Sequence, residues 1–381
     1  MVDSQKDPWS ITNADLRAQL RACCRDETDA ALITVAAVDG SAYRRPGAKM
    51  LVPADGDAAG AVTAGCLEDA VQNVAADVIS TGRSRIEVFD LMDDDDSWGL
   101  GLGCNGIIDV LVEPIDASFD EALATLENGD STTIVTVIGD KKVGRRTLIT
   151  ADGPESVPDR EPVPESVLTD AADAIDRFHD TGTTKTVTIT TGNQEYTLLI
   201  DDLQPVPEIL LFGSQNDLSP LASLATEIGF HVTVHSPRGA VDNETIPGAD
   251  RVVTGHPSTI DDTVEIPDHT YAVMMSHNLV DDGIALRTLL NETTVPYVGL
   301  MGPRERFVDL RENIADDGFM LTEPRLSRVA TPVGLDLGSG EPVKIALSIV
   351  SEILAVRNDR AGGRLCDRAD PIHPRTVSNS E

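Results

Sequence analysis

Aromatic side chains make up only 3% of the 381 residues. Single-stranded nucleic acid is usually gripped on stacked aromatics, so that class of ligand is not expected. Lysine is scarce as well: Lys6, Lys49, Lys141, Lys142, Lys185 and Lys344 are the whole set, and the other 24 of the 30 basic residues are arginine. Against them stand 64 acidic residues, giving a formal net charge of −34 and a pI near 4.3. Such a surface repels DNA, RNA and anionic membranes. No apolar run approaches the length of a membrane-spanning helix, and Met1 to Ser10 is polar, with Asp3, Lys6 and Asp7. The chain therefore reads as cytoplasmic, with neither a span nor a leader. Cys23, Cys24, Cys66, Cys104 and Cys366 show no zinc-type pairing, which argues against a metal finger and a disulfide framework. There is no histidine-rich metal motif and no serine–histidine–acid set.

What is present suffices for two or three domains: 41% of the residues are hydrophobic. High acid, little lysine and small apolar side chains suggest adaptation to high salt, where screening suppresses self-repulsion. The acid is thus read as a property of a solvated surface rather than of a binding site.

The most informative stretch runs from Gly40 to Glu68. It reads Gly-Ser-Ala-Tyr-Arg-Arg-Pro-Gly-Ala-Lys-Met-Leu-Val-Pro from Gly40, then Gly-Ala-Val-Thr-Ala-Gly-Cys-Leu-Glu from Gly60. Leu67, Val71, Val74 and Val78 share one helical face, and Gly82 supplies a stop, so a helix is expected from Cys66 to Thr81. A thiol at a helix start lies near unpaired N–H groups that favour the thiolate. Arg44 and Arg45 are forked donors for phosphate or carboxylate. If the fold brings them close to Cys66, the result is an anion site containing a soft sulfur. The plainer alternative is a buried cysteine opening a core helix, with the arginines in surface ion pairs.

Around this stretch the pattern predicts a helix from Trp9 to Cys24 and strands at Ala30–Val38, Lys49–Val52, Ala61–Thr63, Arg85–Phe89 and Ile107–Val112. Asp93 to Asp96 lack the alternating spacing of a calcium loop. Glycines around Cys104, ending at Gly106, permit close backbone approach to a ligand or a neighbouring strand. The acidic, proline-bearing segment 152–165 reads as a surface loop and weak boundary. A hairpin is expected about Gly192-Asn193, and a linker at Asp201 to Pro207. These readings divide the chain into an N-terminal α+β domain over 1–200, a linker at 201–207, a doubly wound parallel sheet over 208–360 and a disordered tail over 361–381.

In the second half, strand, Gly213, helix and strand follow the order of a dinucleotide site. Gln215 and Leu218 stand where two further glycines belong, and His235-Ser236-Pro237-Arg238 stands where an acid would grip a ribose. That counts against ordinary NAD or NADP binding. Gly299-Leu-Met-Gly302-Pro-Arg304 lies between a strand and a helix and could hold a phosphate. His277 would share that crevice, with Asp281 either orienting its imidazole or capping the next helix.

With these pieces in place, the sequence resembles the xanthine dehydrogenase accessory protein family (XdhC/CoxI). The resemblance rests on Gly40-Ser-Ala-x-Arg-Arg-Pro-Gly-Ala-x-Met-Leu-Val, Gly65-Cys-Leu-Glu, and Cys104-Asn-Gly followed by Asp109-Val-Leu-Val-Glu-Pro. It continues through Ser276-His277…Asp281, Tyr297-Val-Gly-Leu-Met-Gly-x-Arg304 and Pro332-Val-Gly-Leu-Asp-Leu-Gly338. The family's Gly-Ala-Gly-His turn is Gly213-Ser-Gln-Asn216 here, and its Asp-Pro-Arg is Ser236-Pro-Arg238.

The resemblance implies an α/β protein whose second domain is Rossmann-like. It implies a maturation factor that binds the molybdenum cofactor (molybdopterin), supports its sulfuration, and delivers it to a molybdenum hydroxylase such as xanthine dehydrogenase or carbon monoxide dehydrogenase. Such a factor has no turnover of its own. Cys66 and Cys104 would be the sulfur ligands of the metal. Arg44, Arg45, Gly65, Gly106, Gly213, His277, Gly299, Gly302 and Arg304 would line the cofactor. A cysteine desulfurase and a second copy of the chain are the further partners it would admit. The competing expectation from the residues alone is a nucleotide-dependent oxidoreductase using His277 as acid–base.

Overall fold

The computed structural model describes residues 7–91, 106–139, 142–237, 239, 245–316, 318–338 and 340–368. The segment with Asp93 to Asp96 and Cys104, residue Arg238, and the tail from residue 369 onward lie outside them. The chain divides into two compact units, Met1–Pro205 and Val206–Glu381.

Unit 1 is α+β, with two antiparallel sheets. The first contains β1 (Ala30–Gly40), β2 (Lys49–Pro53), β3 (Ala59–Gly60), β4 (Arg85–Asp90) and β5 (Gly106–Pro114), in the order β3-β2-β1-β5-β4. The second contains β6 (Thr132–Val137), β7 (Arg146–Thr150), β8 (Gly153–Ser156), β9 (Thr184–Thr191) and β10 (Gln194–Leu203), in the order β8-β7-β6-β10-β9. Its helices are α1 (Asn13–Arg25), α2 (Glu68–Thr81), α3 (Ser118–Glu127), α4 (Glu165–Asp170) and α5 (Ala172–Phe178).

Strand alternation assigns the faces. Ala31, Ile33 and Val35 of β1 pack with Val71, Ala75 and Val78 of α2. Ala36 points to the opposite side and meets Leu111, Ile138 and Leu199, so the two sheets share a core. The second sheet covers its other face with Val167 of α4 and Ile175 of α5. Val71 and Val78 are fully buried, which stabilises α2 by about 1.5–3 kcal/mol apiece. Gly82, at φ 65°, ends α2 in the left-handed conformation that glycine adopts without steric cost.

Three expectations change here. Asp201 to Leu203 belong to β10 rather than to a linker, because their acids are buried with partners. Asp201 pairs with Lys49 at 2.7 Å. Asp202 accepts the amides of Asp180, Thr181 and Gly182. Segment 152–165 is no boundary, since it carries β8 and buries Val157 and Val163. The short strand expected at Ala61–Thr63 is instead β3 at Ala59–Gly60, because Thr63 turns away to cap the approach to α2.

Unit 2 is built on six parallel strands in the order β13-β12-β11-β14-β15-β16. They are β11 (Glu208–Phe212), β12 (His231–Ser236), β13 (Arg251–Thr254), β14 (Thr270–Met274), β15 (Tyr297–Leu300) and β16 (Val329–Ala330). Its helices are α6 (Leu218–Glu227), α7 (Leu279–Glu292), α8 (Arg304–Asp316), α9 (Glu323–Leu326) and α10 (Pro342–Arg357). One face packs on α6 and α10 and the other on α7 and α8. β11 and β14 are therefore buried throughout, as in a doubly wound Rossmann-like sheet. The order of strand addition reverses between β11 and β14, and that is where such sheets place a ligand crevice. Among the described residues no helix is long and apolar enough to cross a membrane.

Candidate functional site

The register of the first sheet gathers its loops. Gly40, which ends β1, pairs with Gly106, which starts β5. Asp90, which ends β4, pairs with Ile107, and Gly60, which ends β3, pairs with Met50 near the start of β2. The loop with Arg44 and Arg45, the loop with Cys66, and the start of β5 thus share one end of the sheet. Packing agrees, since Ala42 and Ala48 of the first loop join Val62, Cys66 and Leu67 of the second in one apolar cluster. Cys104, expected beside them, lies outside the described residues.

The Arg44–Arg45 loop is held from its far side. Ala48 donates its N–H to the Arg45 carbonyl at 3.0 Å, and Gly47 donates to Val35 O at 2.9 Å. Gly47 has φ +92°, and a Cβ there would strike Thr184 of β9. Arg44 is half-buried and Arg45 exposed. Among the described residues neither guanidinium has an ion pair or a hydrogen bond.

Cys66 is half-buried and precedes α2 rather than opening it. The sequence places the thiol among unpaired amides, but the chain has already occupied them. The N–H groups of Cys66 and Leu67 donate to Thr63 Oγ1 at 3.1 and 3.2 Å. Glu68 reaches back over the same turn. Its carboxylate accepts Thr63 N–H at 2.8 Å, Thr63 O–H at 2.6 Å and Leu67 N–H at 3.1 Å. The turn is a network of side-chain-to-backbone hydrogen bonds ahead of α2 that fixes where the sulfur sits. Gly65 turns the chain at φ +106°, and Trp9 lies 3.8 Å from where its Cβ would be. Gly106 does a different job: a Cβ would come within 2.7 Å of Asp39 O and 2.9 Å of Ser41 O, so it lets two strand ends meet.

The crevice of unit 2 forms a second candidate site. His277 follows β14 at φ 58°, a left-handed conformation that a non-glycine residue adopts at some cost. Its Nε2 lies 2.7 Å from Oδ2 of Asp217, the residue before α6. The partner of the imidazole is therefore Asp217 and not Asp281. The cap of α7 is Asn278, whose Oδ1 accepts from Val280 and Asp281. Asp217 Oδ1 is buried without a hydrogen bond. Behind this pair, Ser276 Oγ donates to Asp282 Oδ1 at 2.5 Å, and Arg306 donates to Asp282 Oδ2 at 2.6 Å.

The expected glycines of this crevice are mostly packing residues. A Cβ on Gly213 would lie 2.7 Å from Met275 O, and one on Gly299 would lie 2.5 Å from Val333. Gly302, at φ +123°, turns the chain into α8, whose first residue is the exposed Arg304. Ser236 is fully buried, and its Oγ lies 3.0 Å from Ser214 Oγ. Among the described residues of β12 no carboxylate stands where a ribose would be gripped. His235 hydrogen-bonds to Thr263 and Gly255, and burial lowers its pKa, so it is a neutral core residue.

Sequence reasoning missed Glu68 as a clamp, Trp9 as a neighbour of Gly65, and Asp217, Asp282 and Arg306 in the crevice. The Thr63-x-x-x-x-Glu68 spacing next to Cys66 was the usable signal for the clamp. Asp217 and His277 belong to different strand ends, and only the fold brings them together.

A family model described as "XdhC and CoxI family" matches residues 23–90, and one described as "XdhC Rossmann domain" matches residues 209–353. A Bacillus subtilis (strain 168) protein, named as a probable subunit of xanthine dehydrogenase, is 30% identical over 349 residues, covering 90% of this chain and 98% of that protein. The uncharacterized protein YqeB of Escherichia coli (strain K12) is 26% identical over 172 residues, 44% of this chain and 30% of its own length. A crystal structure titled as a xanthine dehydrogenase from Bacillus halodurans superposes with a TM-score of 0.72 at 25% identity, covering 94% of this chain and 98% of the other.

Proposed function

The chain belongs to the XdhC and CoxI family, and on that premise we propose that it is an accessory protein in the maturation of a molybdenum hydroxylase. In this reading it holds the molybdenum cofactor on the loops at the end of the first sheet and passes it to a client such as xanthine dehydrogenase or carbon monoxide dehydrogenase. The observation that carries the reading is that the half-buried Cys66 packs in one apolar cluster with Ala42 and Ala48, which flank Arg44 and Arg45, whose guanidiniums have no partner among the described residues.

The residues present suit that cargo. Molybdopterin carries a phosphate, for which guanidinium forks are the matching donors. It also carries a dithiolene-bound metal, for which thiolate is the matching soft ligand. When bound, the cofactor brings the redox-active metal that the client needs. The chain's own task is binding, orientation and release. Arg44 and Arg45 would take the phosphate, Cys66 would face the metal, and the Thr63–Glu68 clamp would hold the thiol in place. The acidic surface does not forbid an anionic cargo. At physiological ionic strength charges beyond about 8 Å are largely screened, so the local arginines dominate. Support of sulfuration, with a cysteine desulfurase as donor, belongs to the same proposal.

The His277–Asp217 pair favours a second reading, in which the unit 2 crevice performs its own proton chemistry on a nucleotide. A rise in melting temperature with NAD or NADP would support it, and no rise with either would sink it.

The test of the main reading is metal and pterin content. The protein is co-expressed with a cofactor source, purified anaerobically, and compared with Cys66→Ala. Stoichiometric molybdenum and pterin in the parent, lost in the variant with the fold intact, is the expected result. A folded parent that carries neither refutes the carrier.

A further inference from the structure

The chain contains two tryptophans, four tyrosines and seven phenylalanines. Among the described residues only Trp9 and Tyr43 are exposed, at 52% and 69%. Both stand at the end of the first sheet. Trp9 sits in a short 3-10 turn, with its N–H held by Asp7 Oδ1 at 2.9 Å. Its Cζ2 and Cη2 lie 3.8 and 4.0 Å from where a Cβ of Gly65 would be, so the edge of its six-membered ring lies against the residue before Cys66. Tyr43 immediately precedes Arg44 and Arg45. Neither the indole N–H nor the tyrosine hydroxyl has a hydrogen-bond partner among the described residues. Ser41, Ala64 and Gly65, which adjoin them, are small and exposed.

We propose that Trp9 and Tyr43 are ring-stacking residues of this site, gripping the flat heterocycle of the cargo while the arginines take its phosphate. The inference rests on the carrier reading and adds to it the part of the ligand that the thiol and the guanidiniums leave unrecognised. Aromatic side chains stack on any planar heteroaromatic ring. A fused pterin ring is such a surface, and small neighbouring residues leave room for a thin ring. Exposed aromatics with arginine also occur in protein–protein hot spots. Contact of the indole with the turn that carries Cys66 favours the ring of the cargo over the client.

The experiment uses the full chain with Trp98→Phe as background, so that Trp9 is the sole tryptophan. Titration with 6-hydroxymethylpterin is followed by isothermal calorimetry in every variant and, where Trp9 is present, also by its fluorescence, and pterin content is measured on protein co-expressed with the cofactor source. Saturable quenching is expected. Trp9→Phe should bind within about threefold of the parent, whereas Trp9→Leu and Trp9→Ala should lose about ten- to a hundredfold in affinity. Tyr43→Leu should lose in the same direction. If Trp9→Leu binds as well as Trp9→Phe, flatness is irrelevant and stacking is refuted, even if Trp9→Ala fails to fold. If pterin content falls only in Cys66→Ala, the carrier stands and stacking is overturned. If the Trp9 variants keep their pterin but fail to pull down the client, the surface docks a protein and stacking is again overturned. If the parent carries no pterin, the carrier reading itself has failed.

Discussion

Replacing Glu68 with glutamine should damage the turn that carries Cys66 more than a one-atom change suggests. The carboxylate has two oxygens, and each already accepts a backbone amide. Oε1 takes Thr63 N–H at 2.8 Å, and Oε2 takes Leu67 N–H at 3.1 Å together with Thr63 O–H at 2.6 Å. Glutamine offers one oxygen and one NH2. In one flip the NH2 faces Thr63 N–H, donor against donor; in the other it faces Leu67 N–H, which keeps only Thr63 Oγ1, and Thr63 O–H, which loses its acceptor. Nor can Thr63 Oγ1 relieve the clash, because it already accepts from Cys66 and Leu67. Thr63 is 2% exposed, so an amide unpaired there is not rescued by bulk water. One buried unsatisfied donor costs about 1–3 kcal/mol. Glu68→Gln should therefore lower the urea midpoint by that equivalent and speed hydrogen exchange at Thr63 and Leu67. It should also reduce retained molybdenum, although Glu68 is not assigned to the cargo. Unchanged stability together with unchanged protection of both amides would refute the clamp.

Two further outcomes follow from buried charges. Arg146 and Glu113 pair at 2.6 Å across the two sheets of unit 1, at 1% and 4% side-chain exposure, with the guanidinium 4.3 Å from the Phe119 ring centroid. Arg146→Met should cost about 3–5 kcal/mol by stranding the carboxylate, and Arg146→Met with Glu113→Leu should recover most of it; a urea-denaturation double-mutant cycle in which the pair is as costly as the single change would contradict this. In unit 2 the Glu208 carboxylate, 3.8 Å from His231, holds that imidazole above its ordinary pKa. A raised folded-state value stabilises below the unfolded pKa and fades as pH rises through the folded one. His231→Gln should thus cost stability at about pH 6 and little at about pH 9, and a cost that does not vary with pH would count against the pair. Burial of His235 acts with the opposite sign: its lowered pKa stabilises above the unfolded value and is lost as pH falls.

The sheets of this protein were legible where the pattern is local. β11 and β14 are short apolar runs and α2 has a clear apolar face, so they could be placed within a few residues. The short strands β8, β13 and β16 were missed because two to four residues carry no periodicity. Asp201 and Asp202 misled for another reason. Acid beside proline normally signals a solvated linker, but here Thr184, Lys49 and three backbone amides compensate the two carboxylates inside unit 1. No one-dimensional reading contains those partners.

The site shows the same division between type and surroundings. Arg44, Arg45, Gly65 and Cys66 could be singled out as candidates because two short motifs carry them. What the residue types could not convey is which donors the fold has already used. The amides of Cys66 and Leu67, expected to favour the thiolate, are taken by Thr63 and Glu68, while the guanidiniums, which could have been lost to surface ion pairs, have no partner among the described residues. If the cluster takes an anion as proposed, its selectivity rests on the arginines. The helix start contributes position rather than charge. Arg44→Gln with Arg45→Gln should accordingly weaken phosphate recognition even with the α2 cap intact, and the cap alone should not compensate.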